Sequence, residues 1–292
     1  MTVIIYYNCF HQRRRQKYDL GDSIIVNKKR IVFKVGTSTL CHAGKGLNFK
    51  NIEGLARALT DIKNEGNEVI LVSSGAIGAG VAKLGLPERP SEIRMKQAAA
   101  SVGQLELMHI YDKLFGEYGA TVGQILFTKD DVDRQSVKQN LCGTFEALMS
   151  VGVIPIVNEN DSVCIEEIES EHSIFGDNDT LSAVVARLVK ADLLVILSDI
   201  EGLYDSDPHN NPDAGLISTV TQIDDRVIAL AGGTKNSLGT GGMTTKLVAA
   251  QIAGEGGIDT VITNGSRPEN LYIAVHGGDV GTRFSLCISE RE

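Results

Sequence analysis

The chain has 292 residues, 42% hydrophobic and 22% charged, an ordinary globular composition that can bury a substantial core in one domain or two closely joined lobes. A formal net charge of −9 and a pI near 5.2 argue against a broad nucleic-acid-binding surface and leave room for an anionic ligand only where positive charge is local. No apolar run reaches the ~18 residues of a membrane span, and the scattered cysteines, Cys9, Cys41, Cys142, Cys164 and Cys287, fit reduced thiols in a cytoplasmic protein better than a disulfide or zinc framework.

Residues 1–28 read as an extension outside the fold. Val3–Tyr7 is too short for a signal-peptide core, and Asp19 and Asp22 follow the basic cluster Arg13–Arg15 too closely for a transit peptide. Val26 is a candidate start, since a GTG start codon reads as valine inside a longer frame. Residues 29–288 are expected to form a single domain.

From Ile31 onward, short apolar runs alternate with helical stretches. Ile31–Val35, Val69–Ser73, Thr121–Phe127, Val153–Val157, Leu193–Ser198 and Thr260–Thr263 suit strands buried on both faces of a parallel sheet. Leu105, Met108, Tyr111 and Phe115 recur at helical spacing and predict one buried helix face, with Ser91 as the cap. Glu166–Ile174 is an acidic excursion, read as a hairpin or lid, and Asp205–Ala214 a turn-rich loop. A helix is expected over Met243–Glu255. Strands separated by helices imply an α/β protein: a three-layer αβα sandwich with a mainly parallel central sheet.

Ligands in such sheets sit where strands end and helices begin. Lys34 lies inside an apolar strand before Gly36, so it either reaches solvent from a sheet edge or meets an anion such as a phosphate. Val72-Ser73-Ser74-Gly75-Ala76-Ile77-Gly78-Ala79-Gly80 follows a strand and opens a helix, a place that offers free N–H groups to a carboxylate or phosphate, or a glycine turn with no ligand. Asn158-Glu159-Asn160-Asp161-Ser162 and Gly176-Asp177-Asn178-Asp179-Thr180 are each readable as turns or caps; together they offer acceptors for an ammonium group and partners for lysines. Their spacing is not that of a calcium loop. Leu238-Gly239-Thr240-Gly241-Gly242-Met243-Thr244-Thr245-Lys246 can wrap phosphates with backbone N–H groups while Lys246 supplies charge. Ser198-Asp199 ends a strand beside a nucleotide, or is a turn.

Lys34-Val35-Gly36-Thr37-Ser38, Ser73-Ser74-Gly75-Ala76-Ile77, Asn158-Glu159-Asn160-Asp161, Gly176-Asp177-Asn178-Asp179 and Gly239 to Lys246, in this order, resemble the motifs of the glutamate 5-kinases of the amino-acid kinase family, over roughly Lys29 to Leu286. The resemblance implies ATP-dependent phosphorylation of the L-glutamate side-chain carboxylate to glutamyl 5-phosphate, the first step of proline synthesis. It implies catalytic roles for Lys34, Lys246 and Asp179, with Asp179 holding the two lysines. L-Glutamate would be bound by Ser74, Gly75, Ala76, Asp161 and Asn178. ATP would be bound by Lys34, Ser198, Asp199 and Thr240, Gly241, Gly242, Met243, Thr244, Thr245 and Lys246. The N-terminal half would thus hold glutamate and the C-terminal half ATP. Magnesium is expected on the phosphates and water, with no protein ligand. Proline as a feedback inhibitor, a homo-oligomer (dimer or tetramer) and coupling to a glutamyl phosphate reductase are further implications; no nucleic acid and no membrane are expected as partners. Many relatives carry a C-terminal RNA-binding-like PUA domain, and the chain ends too soon after Arg283 to expect one here. The competing readings are a kinase for acetylglutamate or aspartate, and a silent amino-acid sensor, which would not require Lys34, Asp179 and Lys246 together.

Overall fold

The computed structural model describes residues 28–42, 46–163, 178–208, 210–232 and 242–286. The expected extension (but for Lys28), the Glu166–Ile174 excursion, Gly176-Asp177, Leu238 to Gly241, and Cys9, Cys164 and Cys287 lie outside the described residues. In chain order the elements are β1 (Arg30–Val35), α1 (Thr37–Leu40), β2 (Cys41–His42), β3 (Gly46–Leu47), α2 (Phe49–Asn64), β4 (Glu68–Ser73), α3 (Ala76–Leu84), α4 (Ile93–Glu117) and β5 (Val122–Phe127). There follow α5 (Lys129–Asp133), α6 (Gln135–Ser150), β6 (Ile154–Glu159), α7 (Asn178–Leu188), β7 (Leu193–Ser198), β8 (Thr219–Val220), α8 (Asp225–Ala231), α9 (Met243–Gly254), β9 (Asp259–Asn264), α10 (Glu269–Val275) and β10 (Thr282–Phe284).

Eight strands form one sheet in the order β5-β6-β4-β1-β7-β9-β10-β8, parallel except where β10 runs against β9. All six predicted runs are strands of it. Side chains on a strand point alternately to its two faces, and the core divides accordingly. Ile31, Phe33, Val69, Leu71, Ile154 and Ile156 pack with α2, α3, α4 and α10. Val32, Ile70, Val72 and Val157 pack with α6, α7 and α9. The result is the expected three-layer αβα sandwich.

That alternation also places the site. Lys34 is two residues beyond Val32, so it emerges on the face covered by α7 and α9. The sheet changes winding direction at β1, with β4 on one side and β7 on the other, the location at which open α/β sheets bind ligands.

Two expectations for α4 fail. Its N-cap is Glu92, in an extended conformation with no side-chain cap bond, which leaves Ser91 one residue too early to cap it. Leu105 is 75% exposed, while Ala99, Ala100, Gly103, Leu107, Ile110, Tyr111 and Phe115 form the buried face and Met108 is half-buried. The reason is the partner: α4 crosses α3 backbone to backbone. A Cβ at Gly80 would sit 1.7 Å from Ala99 O, and one at Gly103 would sit 1.8 Å from Ala76 O. Glycine and alanine, not large apolar side chains, define that contact.

Candidate active site

Lys34, Asp179 and Lys246 come from three different elements and meet. Lys34 projects from β1, Asp179 from the first turn of α7 and Lys246 from the first turn of α9. Lys34 Nζ lies 2.6 Å from Asp179 Oδ1, and Lys246 Nζ lies 3.1 Å from Asp179 Oδ2. Asp179 is fully buried and the two lysines are nearly so. Charges at such depth are tolerated only when paired. Thr245 adds a contact that the sequence did not disclose: its Oγ1 lies 2.8 Å from Asp179 Oδ2 and equally 2.8 Å from Gly242 O. Gly36 follows β1, and a Cβ there would lie 3.5 Å from Lys34 Nζ, so the glycine leaves that side of the ammonium open.

The neighbouring group gathers at the ends of β4 and β6. Asn178 Nδ2 donates to Ser73 O and Ser74 Oγ, both at 2.9 Å, and lies 3.2 Å from Asn158 Oδ1. Gly75 is the N-cap of α3 with φ at 91°, a left-handed conformation that glycine adopts without strain, and buried Ala76 is the first helical residue. The first-turn N–H groups of α3 have no partners within the helix and point out of its start. Asp161 is half-buried in the turn after β6, where Val163 N donates to Asn160 O. Cys41 lies against this corner, its Sγ within 3.7 Å of where a Gly75 Cβ would be, and burial raises its thiol to about 11. Burial likewise raises the Tyr111 hydroxyl, against the opposing effect of its bond with Ser73.

On the other side of β1, Ser198 closes β7 and its Oγ lies 3.1 Å from exposed Asp199 Oδ1. Asn264 Nδ2, from the end of β9, approaches Asp199 O at 3.3 Å. Gly242 caps α9, Thr244 is exposed, and the Met243 side chain is buried in the α6–α7–α9 layer, which leaves only its backbone to face a ligand. Thr240 and Gly241 lie outside the described residues.

Residues 29–264 match the amino acid kinase family model. Against curated proteins, the chain is 52% identical over 258 residues to a glutamate 5-kinase of Clostridium perfringens, covering 88% of this chain and 96% of that one. It is 53% identical over 259 residues to a glutamate 5-kinase of Listeria monocytogenes, covering 89% and 94% of the two chains. This chain belongs to the glutamate 5-kinases of the amino acid kinase family. The glutamate 5-kinase of Clostridium acetobutylicum extends the match to 270 residues at 53% identity, 92% of this chain and 97% of that one. Among solved structures, carbamate kinase from Giardia lamblia bound to AMP-PNP aligns with a TM-score of 0.62 at 18% identity, over 89% of this chain and 99% of that one. Isopentenyl phosphate kinase from T. acidophilum, as a product complex, aligns with a TM-score of 0.58 at 18% identity, over 88% and 100%. At that identity these two share the fold with this glutamate 5-kinase family member and nothing finer.

The site was only partly visible in the sequence. Gln104 and Asn264 contact site residues and went unnoticed, and Tyr111 was read only as part of a buried helix face, since polar groups on a helix or at a strand end carry no motif. Their only signal is parity, the face on which each neighbour falls.

Proposed function

We propose that this chain transfers the γ-phosphoryl group of ATP to the side-chain carboxylate of L-glutamate, giving L-glutamyl 5-phosphate and ADP as the first step of proline synthesis. The observation that carries the reading is the buried Lys34–Asp179–Lys246 cluster at the switch point of the sheet, in a chain of this family. A glutamate carboxylate, with a pKa of about 4.3, is ionised at neutral pH and needs no general base. One of its oxygens attacks the γ-phosphorus, the bond from phosphorus to the bridging oxygen breaks, and ADP leaves with the electron pair. Such a step needs alignment and neutralisation of charge on the transferred group. Lys34 and Lys246 supply that charge, and Asp179 fixes both ammonium groups in advance.

The two substrates divide along the sheet. Ser74, Gly75, Ala76, Asp161 and Asn178 bind L-glutamate at the ends of β4 and β6, with Asp161 taking the ammonium group and the start of α3 a carboxylate. Ser198, Asp199 and the segment from Thr240 to Lys246, including Gly241, Gly242, Met243, Thr244 and Thr245, line the ATP side. Magnesium arrives with ATP on phosphate oxygens and water; among the described residues no group of three or more His, Cys, Asp and Glu is placed to hold a metal ion. Proline is the expected inhibitor, a dimer or tetramer the expected assembly, and a glutamyl phosphate reductase the expected consumer of the labile product. No described helix is long and apolar enough to cross a membrane.

Hydroxylamine traps an acyl phosphate as a hydroxamate. With ATP, magnesium and a panel of glutamate, acetylglutamate, aspartate and no acid, hydroxamate and ADP should form with glutamate. A folded sample that forms neither with any acid defeats the reading and favours the sensor; turnover of another acid instead reassigns the substrate.

A further inference from the structure

Three hydrogen-bonding side chains on α4 reach the strand ends that hold the acid substrate in the reading above. Ser73 ends β4 on the face of Val69 and Leu71, and Asn158 continues the face of Ile154 and Ile156; both therefore meet the layer that contains α4. The buried Tyr111 hydroxyl lies 2.8 Å from Ser73 Oγ. Gln104 Oε1, two turns earlier, accepts from Asn158 Nδ2 at 2.8 Å. Ser101, one turn before that, meets Ser162 Oγ at 2.9 Å, next to Asp161.

The direction of each bond follows from groups that have only one role. Ser73 O can only accept, so Asn178 must present Nδ2 to it. The Glu159 N–H can only donate, so Asn158 presents Oδ1 to it, at 2.9 Å, and Nδ2 to Gln104. One chain thus links Asn178, Asn158 and Gln104: Asn158 Nδ2 donates to Gln104, and Asn158 Oδ1 is a third, longer acceptor at 3.2 Å for the Asn178 amide, whose two hydrogens also serve Ser73 O and Ser74 Oγ. In the other, Ser73 Oγ donates to Ser74 O at 3.0 Å, which makes Tyr111 the donor to Ser73 Oγ. What these chains leave over is Asn178 Oδ1, buried and without a hydrogen-bond partner among the described residues. A buried acceptor in that state is open to a donor from a ligand or from an ordered water.

We propose that α4 sets the hydrogen-bonding polarity of the acid-substrate pocket, with Gln104 and Tyr111 as positioning residues acting through Asn158, Asn178 and Ser73. Gln104 and the Glu159 N–H together hold the Asn158 amide with Oδ1 toward Asn178 Nδ2, which reinforces the orientation that Ser73 O dictates and leaves Asn178 Oδ1 for a ligand N–H; Tyr111 fixes the Ser73-Ser74 backbone that receives the same amide. The pocket is thereby matched to an acid bearing an ammonium group, and mismatched to the same acid bearing a 2-oxo group, which offers one more acceptor. This inference rests on the glutamate reading above. The contact of Gly103 with the Ala76 backbone keeps α4 at fixed distance from the start of α3, so the positioning is rigid.

The test is steady-state kinetics of the full chain with both substrates varied, alongside thermal unfolding. Gln104→Met should raise KM for glutamate about tenfold while KM for ATP stays within about twofold. Tyr111→Phe should shift KM for glutamate in the same direction. Gln104→Glu, whose carboxylate oxygens still accept from Asn158 Nδ2, should restore most of the affinity. A lower unfolding temperature with KM for glutamate unchanged, or equal rises in both KM values, overturns the proposal. A wild-type chain inactive on glutamate is a different result, because it removes the parent reading; active wild type with an indistinguishable Gln104→Met removes the positioning role alone.

Discussion

Lys34 Nζ stands 2.6 Å from Asp179 Oδ1, and of these two side chains the lysine is 5% exposed and the aspartate not at all. A pair at that depth contributes little net stability, because desolvation offsets the attraction, but removing one partner strands the other. Asp179→Asn leaves Lys34 and Lys246 facing a neutral amide. It should lower kcat by about 10²–10³-fold and stability by about 3–5 kcal/mol. Turnover and denaturant unfolding of the same preparation check both; wild-type kcat in the folded variant would exclude Asp179 from the chemistry.

Thr245, proposed above to line the ATP side, also places its hydroxyl on Asp179 Oδ2 and Gly242 O. With one proton and two acceptors, it ties the start of α9 to the carboxylate. Thr245→Val should therefore reduce kcat about tenfold, and Thr245→Ser should retain activity. A rise confined to KM for ATP would mean that Thr245 serves the nucleotide alone and not Asp179.

Gly103→Ala places a methyl group 1.8 Å from Ala76 O. The contact is backbone, so no side chain can turn away, and α3 and α4 must separate. A loss of about 1–3 kcal/mol or more is expected in urea unfolding, with a raised KM for glutamate because Ala76 begins the helix at that pocket. Unchanged stability would mean that the helices part without cost.

Much of this architecture is written in local pattern. Ile31–Val35 is apolar but for Lys34 and Leu193–Ser198 apolar up to its last residue, and runs so short, rich in Val, Ile and Leu, suit strands buried on both faces. Lys34 and Lys246 stand out because lysine is rare in such surroundings. The failures share a cause: they depend on which neighbour arrives. Leu105 looked like core, but the helix face was chosen by Ala99, Ala100 and Gly103 against α3. Gln104 and Tyr111 became part of the site only because β4 and β6 turn Ser73 and Asn158 toward them.

Glu68 accepts from Lys28 Nζ at 2.6 Å and Arg30 Nε at 2.7 Å. Burial alone would raise its pKa; the two cationic donors outweigh it and hold the carboxyl below its usual value. A depressed folded-state pKa contributes stability above the unfolded value of about 4.3, and that contribution is lost as pH falls through the folded value. Wild type should exceed Glu68→Gln by about 1 kcal/mol or less at neutral pH, the gap closing in acid. A gap that widens below pH ~4 would contradict the sign.

The central claim is that a glutamate carboxylate oxygen becomes bonded to the γ-phosphorus beside Lys34 and Lys246. The most direct measurement uses glutamate with heavy oxygen in its side-chain carboxylate, together with ATP, magnesium and hydroxylamine, and weighs the released phosphate. Attack by hydroxylamine at the acyl carbon should free phosphate that carries one heavy oxygen from glutamate. Phosphate released at the same rate without the label would mean that water is the acceptor, and would contradict the account.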